Sequence, residues 1–168
     1  MLAALVLVDE PKDRPEWIRE TVALLAQRIR DDRARLLQRV ASASDADLVA
    51  GDDDDWGLGQ IATHLLVVER GVLSIVLRLA RGERVDRGTG QPRPKASDVA
   101  RERIAVLAEK AERDLTRFVA EFPTDPDTST RARHPFYGEL NCFGWLLTQL
   151  GHYAAHLEAL ARGTKSAL

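Results

Sequence analysis

The chain contains 168 residues, of which 45% are hydrophobic and 30% are charged, and its formal net charge is −2. This length and composition predict a single folded domain, residues 1–168, with one substantial hydrophobic core. The slightly negative charge argues against a protein that binds nucleic acid through a basic surface.

The chain begins with an apolar stretch, "MLAALVLV", that ends before Asp9. This stretch has no basic leader and no small-residue cleavage site, so it does not match a signal peptide. No run of apolar residues reaches the roughly 18 that a membrane span needs. The single cysteine, Cys142, excludes an internal disulfide and is typical of a reducing compartment. We therefore expect a cytoplasmic protein without a membrane segment, and the sequence assigns no role to the apolar stretch.

The first two helices are predicted from apolar residues that recur at helical spacing. Helix one is expected over about 13–41, with Pro15 in the first turn, where proline is tolerated. After a stretch of small and acidic residues, helix two is expected to begin at Gly57, with Gln60 in the capping-box position. The apolar stripe of helix two also contains His64, which is therefore expected to point toward the core.

Two loops that are rich in glycine and proline separate the remaining helices. Helix three is expected to be capped by Ser97 and to stop before Pro123. Helix four is expected to start at Asn141 and to stop at Gly163. No segment shows the sustained alternation of a β-strand, so the predicted fold class is an all-α four-helix bundle. The loop between helices two and three could extend ~45 Å, which would allow these helices to run parallel.

The main candidate site consists of histidines. His152 and His156 are four residues apart, so both lie on one face of helix four, and His64 lies on the inward stripe of helix two. Imidazole is a common transition-metal ligand, and three imidazoles leave a position open for water or substrate. The alternative is that these histidines are buried for packing or hydrogen bonding without a metal. A cation would satisfy all three buried imidazoles at once, which favours a metal site.

Four further residues are candidates for orienting the ligands or lining a pocket: Gln60, His134, Gln149 and Tyr153. For Gln60, Gln149 and Tyr153, packing or capping is the alternative role. His134 precedes Pro135 in a loop, and holding the loop against the bundle is favoured over catalysis. A separate residue, Glu69, lies about 140° around helix two from His64, so it is expected to form a salt bridge rather than to bind a metal.

Two segments contain sequence motifs, that is, particular residue types that follow one another at fixed spacings. In "WGLGQIATHLLVVER", a tryptophan precedes the helix, a histidine follows eight residues later, and an acidic residue follows five residues after that. In "HPFYGELNCFGWLLTQLGHYAAHLEAL", an HP-x-x-G segment is followed by a Trp-Leu pair and a helical HxxxH. Both segments are similar to motifs of the DinB/YfiT-like metalloenzyme family. The chain departs from the family at Gly57, usually Ser or Thr, and at Ala155, often a further histidine that could assist catalysis.

The resemblance implies an up-down-down-up bundle with a long crossover between helices two and three. It also implies a divalent metal, usually nickel or zinc, bound by His64, His152 and His156. A homodimer is implied as well, because dimers are common in the family.

The leading hypothesis is a metal-dependent enzyme of the hydrolase or thiol S-transferase type that acts on a small molecule. Neutral imidazoles leave the cation its full charge, so bound water or a low-molecular-weight thiol could become the nucleophile. The thiol is implied by the resemblance, since characterised relatives use small cellular thiols. No carboxylate is placed at motif spacing to act as a general base, which weakens the hydrolase version. The alternatives are a non-catalytic metal-binding protein of the stress or DNA-damage response and a plain dimeric bundle without metal.

Overall fold

The structure, a computed structural model, describes residues 14–86 and 92–162. Within these ranges the α-helices are α1 (Arg14–Ser42), α2 (Asp45–Leu48), α3 (Leu58–Ala80), α4 (Arg101–Glu121) and α5 (Cys142–Arg162). A 3-10 turn (Ala96–Asp98) precedes α4, and the antiparallel strands β1 (Ala132–His134) and β2 (Gly138–Leu140) precede α5. The four long helices α1, α3, α4 and α5 confirm the predicted all-α four-helix bundle. The apolar stretch at the start of the chain and the predicted helix limits Asp13 and Gly163 lie outside the described residues.

Contacts between helix ends fix the directions of three helices. Arg81, directly after α3, pairs with Glu121, the last residue of α4, at 2.8 Å. α3 and α4 therefore run parallel. Arg101, the first residue of α4, donates to the carbonyl oxygen of Val40 near the end of α1 at 2.7 Å. α1 therefore runs in the opposite direction to α3 and α4.

The last helix completes the topology. The guanidinium of Arg39, near the end of α1, donates to the carbonyl oxygen of Leu160, near the end of α5, at 3.5 Å. The backbone N–H of Asp127, which precedes α5, donates to the carbonyl oxygen of Ala80 at the end of α3, at 2.9 Å. α5 is therefore parallel to α1 and antiparallel to α3. This is the predicted up-down-down-up order, and the segment between α3 and α4 is the crossover.

α3 is the core helix of the bundle. Its side chains are buried on nearly every side, from Ile61 in the first turns to Leu79 near the end. By length and mean hydropathy it could cross a membrane, but most of it is buried inside the bundle. A helix that is apolar all round is expected where other helices cover it on several faces.

Two of the three predicted helix caps are present. The Gln60 side-chain oxygen accepts the backbone N–H of Gly57 at 3.1 Å, and the Asn141 side-chain oxygen accepts that of Gly144 at 3.0 Å. The predicted cap at Ser97 is wrong, because Ser97 lies in the 3-10 turn and α4 begins at Arg101. Between them Val99 is extended and buried, which interrupts the helical backbone before α4.

Two short elements were not predicted. α2 carries its own capping box, in which Ser44 and Asp47 bond each other's backbone, and its Leu48 is buried. α2 packs so closely on α3 that a Cβ at Gly59 would lie 2.4 Å from the Leu48 carbonyl oxygen. The expectation of no strand is wrong at the β1–β2 hairpin, whose strands of three residues are too short to show alternation.

A buried polar network joins α1, α3 and α5 at mid-height. Glu69 is fully buried and accepts hydrogen bonds from the Arg33 guanidinium and, at 2.7 Å, from the Tyr153 hydroxyl. Arg33 is itself 4% exposed and also pairs with Glu112. This confirms the predicted salt bridge of Glu69. A buried carboxylate of this kind depends on its partners, because removing one leaves an uncompensated charge in the core.

We expect Arg33→Met to lower the free energy of unfolding by about 3–5 kcal/mol, because Glu69 would stay buried without its cationic partner. Urea denaturation followed by circular dichroism measures the loss. Arg113→Met is the control, since Arg113 is exposed and pairs weakly with Glu109, and it should change stability by at most about 0.5 kcal/mol. Equal unfolding midpoints for the wild type and Arg33→Met would contradict the role of this network.

Candidate metal centre

The structure brings His64, His152 and His156 together inside the bundle. The Nε2 atom of His152 lies 3.1 Å from Nε2 of His64 and 3.1 Å from Nε2 of His156. The three potential ligand atoms all lie within 4.8 Å of one another. Two nitrogens bound to zinc at tetrahedral positions would be about 3.3 Å apart, so the two 3.1 Å spacings at His152 match ligands of one cation.

A backbone carbonyl fixes the tautomer of His64. The Nδ1 atom of His64 lies 2.7 Å from the carbonyl oxygen of Pro92, which can only accept a hydrogen bond. The proton of a neutral His64 ring must therefore be on Nδ1, and the Nε2 lone pair faces the other two histidines. Outer hydrogen bonds of this type orient ligating imidazoles and select the coordinating nitrogen.

The protein environment keeps these imidazoles uncharged. Burial lowers the pKa of His64, and the hydrogen bond to Pro92 opposes this effect. Burial, followed by repulsion from His156, His64 and His134, lowers the pKa of His152 to about 3. Burial and repulsion from His64 lower the pKa of His156 to about 4. At neutral pH the rings are therefore in the form that binds a metal.

Gln60 holds the loops around His64 in place. In addition to accepting from Gly57, its side-chain nitrogen donates to the carbonyl oxygens of Asp52 and Pro94, each at 2.9 Å. Pro94 is two residues from Pro92, so Gln60 fastens the crossover segment that orients His64 to the start of α3. Gln60 is 1% exposed, and both its side-chain oxygen and its side-chain nitrogen form hydrogen bonds within the protein.

Trp56 forms a wall of the site. Its ring centroid lies 5.0 Å from that of His64, and its side chain is buried. Our sequence reasoning did not select Trp56 as a site residue. The available signal was the motif that places a tryptophan eight residues before the histidine.

His134 lies at the hairpin that covers the start of α5. Its ring centroid is 4.7 Å from that of Trp145, whose indole N–H donates to the Ala132 carbonyl oxygen at 3.1 Å. The Nδ1 atom of His134 accepts the backbone N–H of Phe136 at 3.2 Å. His134 is half-buried, and this burial lowers its pKa. It is outside the three-histidine cluster and packs the hairpin against α5.

The two remaining candidates on α5 have different surroundings. The hydroxyl of Tyr153 points to Glu69 in the core network rather than to the histidines. Gln149 is 1% exposed, and neither its side-chain nitrogen nor its side-chain oxygen has a hydrogen-bond partner among the described residues. It precedes His156 by two helical turns and shares its face of the helix.

Comparisons with known proteins agree with this architecture. A family model described as the DinB superfamily matches residues 28–160, a range that contains all three clustered histidines. The chain is similar to a solved structure titled "Crystal structure of TT2238, a four-helix bundle protein", with 27% sequence identity and a TM-score of 0.62. The match covers 84% of this chain and 98% of that chain. A search of curated proteins found no match.

We expect untagged protein to bind about one divalent cation per chain, and His156→Ala to lose it, because two imidazoles hold a metal far less tightly than three. Elemental analysis after dialysis measures the metal content. His134→Ala is the matched control, because it removes the histidine outside the cluster and should retain the metal. Equal metal content in His156→Ala and the wild type would reject the ligand set.

Proposed function

The chain belongs to the DinB superfamily, and we propose that it is a metal-dependent enzyme that transfers a small thiol to an electrophilic substrate. The observation that supports this proposal is the convergence of the Nε2 atoms of His64, His152 and His156, spaced for one cation. Nickel or zinc is the proposed metal, since both accept imidazole ligands. Hydrolysis of a small-molecule substrate is the second version of the same proposal.

The chemistry of the donor set favours a thiol over water as the nucleophile. A divalent cation held by neutral ligands keeps its full charge and deprotonates a coordinating thiol, or lowers the pKa of a bound water. Hydrolysis benefits in addition from a general base. Among the described residues, no aspartate or glutamate joins the histidine group, and Glu69 is engaged by Arg33. A thiol needs no such base.

The protein groups in this proposal have distinct tasks. The Pro92 carbonyl keeps the lone pair of His64 directed at the site, and Gln60 holds the segment that carries this carbonyl. The buried Trp56 ring packs against the ring of His64. His152 is the most exposed of the three histidines, so a substrate would approach from its side.

One observation favours a second candidate, a non-catalytic metal-binding protein of a stress response. His64 and His156 are 1% and 2% exposed, which restricts access to the site. Ala155, where relatives often have a further histidine, is exposed and offers no acid or base. A homodimer and a cytoplasmic location are also proposed, from the family resemblance and the single cysteine.

A thiol-transfer assay tests the proposal. With nickel- or zinc-loaded protein, 2-mercaptoethanol and 1-chloro-2,4-dinitrobenzene, we expect a carbon–sulfur bond to form as chloride leaves, measured as thioether absorbance above the uncatalysed rate. His152→Ala should return the rate to background, and His134→Ala should keep turnover. A metal-loaded wild type that turns over neither this pair nor 4-nitrophenyl acetate would support the non-catalytic candidate instead.

A further inference from the structure

The core network contains one residue from each of the four long helices. Arg33 lies on α1, Glu69 on α3, Glu112 on α4 and Tyr153 on α5. The Arg33 guanidinium donates to both carboxylates, and the Tyr153 hydroxyl donates to Glu69 at 2.7 Å. Glu69 and Tyr153 are both 0% exposed. The network is therefore a set of directional contacts in the middle of the bundle.

Within this network, the hydrogen bond between Glu69 and Tyr153 joins the two helices that carry the candidate ligands. Tyr153 directly follows His152 and precedes His156 by three residues on α5. Glu69 follows His64 by five residues, which is about 7.5 Å along the axis of α3. The bond therefore lies within about two helical turns of every candidate ligand.

A metal site requires more precise positions of α3 and α5 than apolar packing provides, because the hydrophobic effect is non-directional. Sliding α5 along α3 by one residue would displace its histidines by about 1.5 Å. Bond lengths from a metal to its ligands stay within about 0.2 Å of their usual values. A hydrogen bond from a hydroxyl to a carboxylate is short, strong and directional, so it restricts both the sliding and the rotation of α5.

We propose that Glu69 and Tyr153 are positioning residues, whose hydrogen bond holds α5 against α3 so that the three candidate histidines meet at the distances that one cation requires. Neither residue binds the cation in this proposal, because Glu69 is engaged by Arg33 and the Tyr153 hydroxyl is engaged by Glu69. Both act on the histidines through the backbone of their helices. The proposal rests on the metal centre that supports the proposed function, and it holds for either reaction at that centre.

Titration with cobalt(II) tests the proposal, because the visible absorption of this ion reports both its affinity and its coordination geometry. Tyr153→Phe removes only the hydroxyl. We expect it to weaken cobalt binding by about 10-fold and to change the intensity of the absorption, with unchanged helix content by circular dichroism. Glu69→Met removes the acceptor of the same bond and should give the same loss. The double variant should lose no more than either single variant, because each removes one shared contact.

Two control variants separate positioning from other effects of the network. Glu69→Gln removes the negative charge but keeps an oxygen that can accept from Tyr153, so it should bind cobalt as tightly as the wild type. A loss equal to that of Glu69→Met would indicate that the charge acts on the cation directly, and would overturn the inference. Phe118→Leu removes buried volume on α4, which carries neither end of the bond, so it should lower stability without weakening cobalt binding.

The results also distinguish this inference from the proposed function. If the wild type binds cobalt and Tyr153→Phe binds it equally well with the same absorption, the inference fails and the proposed function stands. If Phe118→Leu weakens binding as much as Tyr153→Phe does, affinity follows overall stability, and the inference fails. If the wild type binds no cobalt, the metal centre is wrong, and the proposed function and the inference fail together.

Discussion

The hydrogen bond between His64 and the Pro92 carbonyl oxygen is the interaction on which the candidate site depends. It selects the Nε2 lone pair of His64 for the cluster, and it ties the crossover segment to the core helix α3. The up-down-down-up order makes this bond possible, because a long connection must pass along the bundle between α3 and α4. The connection that sets the topology therefore also sets the tautomer of His64, one of the three candidate ligands.

Glu69 and Arg33 are kept apart from the histidines because His64 and Glu69 lie on different faces of α3. His64 and Glu69 are five residues apart and point in different directions, so one meets α5 histidines and the other meets Arg33 of α1. The carboxylate is neutralised inside the core network and is not available to the site. The cluster consequently presents neutral donors, which suits a cation that must keep its charge.

The sequence was sufficient to predict the four long helices, because their apolar residues recur at helical spacing over many turns. It also placed His64, His152 and His156 on inward faces, since helical spacing determines which side chains share a face. The sequence could not identify the Pro92 carbonyl as the partner of His64. Every residue has a carbonyl group, and only the path of the loop determines which one meets the ring. The hairpin and α2 were missed because strands of three residues and a helix of four residues are too short for their periodicity to repeat. The predicted start of α4 was wrong because serine is a favoured N-cap residue, so residue type alone selected Ser97. In the structure Val99 is extended and buried, and α4 begins only at Arg101.

The candidate ligands come from helices far apart in the chain: His64 and His152 are separated by 88 residues. While the polypeptide emerges from the ribosome, His64 is exposed well before the histidines of α5 exist. A complete set of donors forms only after α5 has docked, so the nascent chain cannot sequester a cation tightly. A cation bound by all three histidines would stabilise the docked position of α5, and this stabilisation would increase with the concentration of free metal.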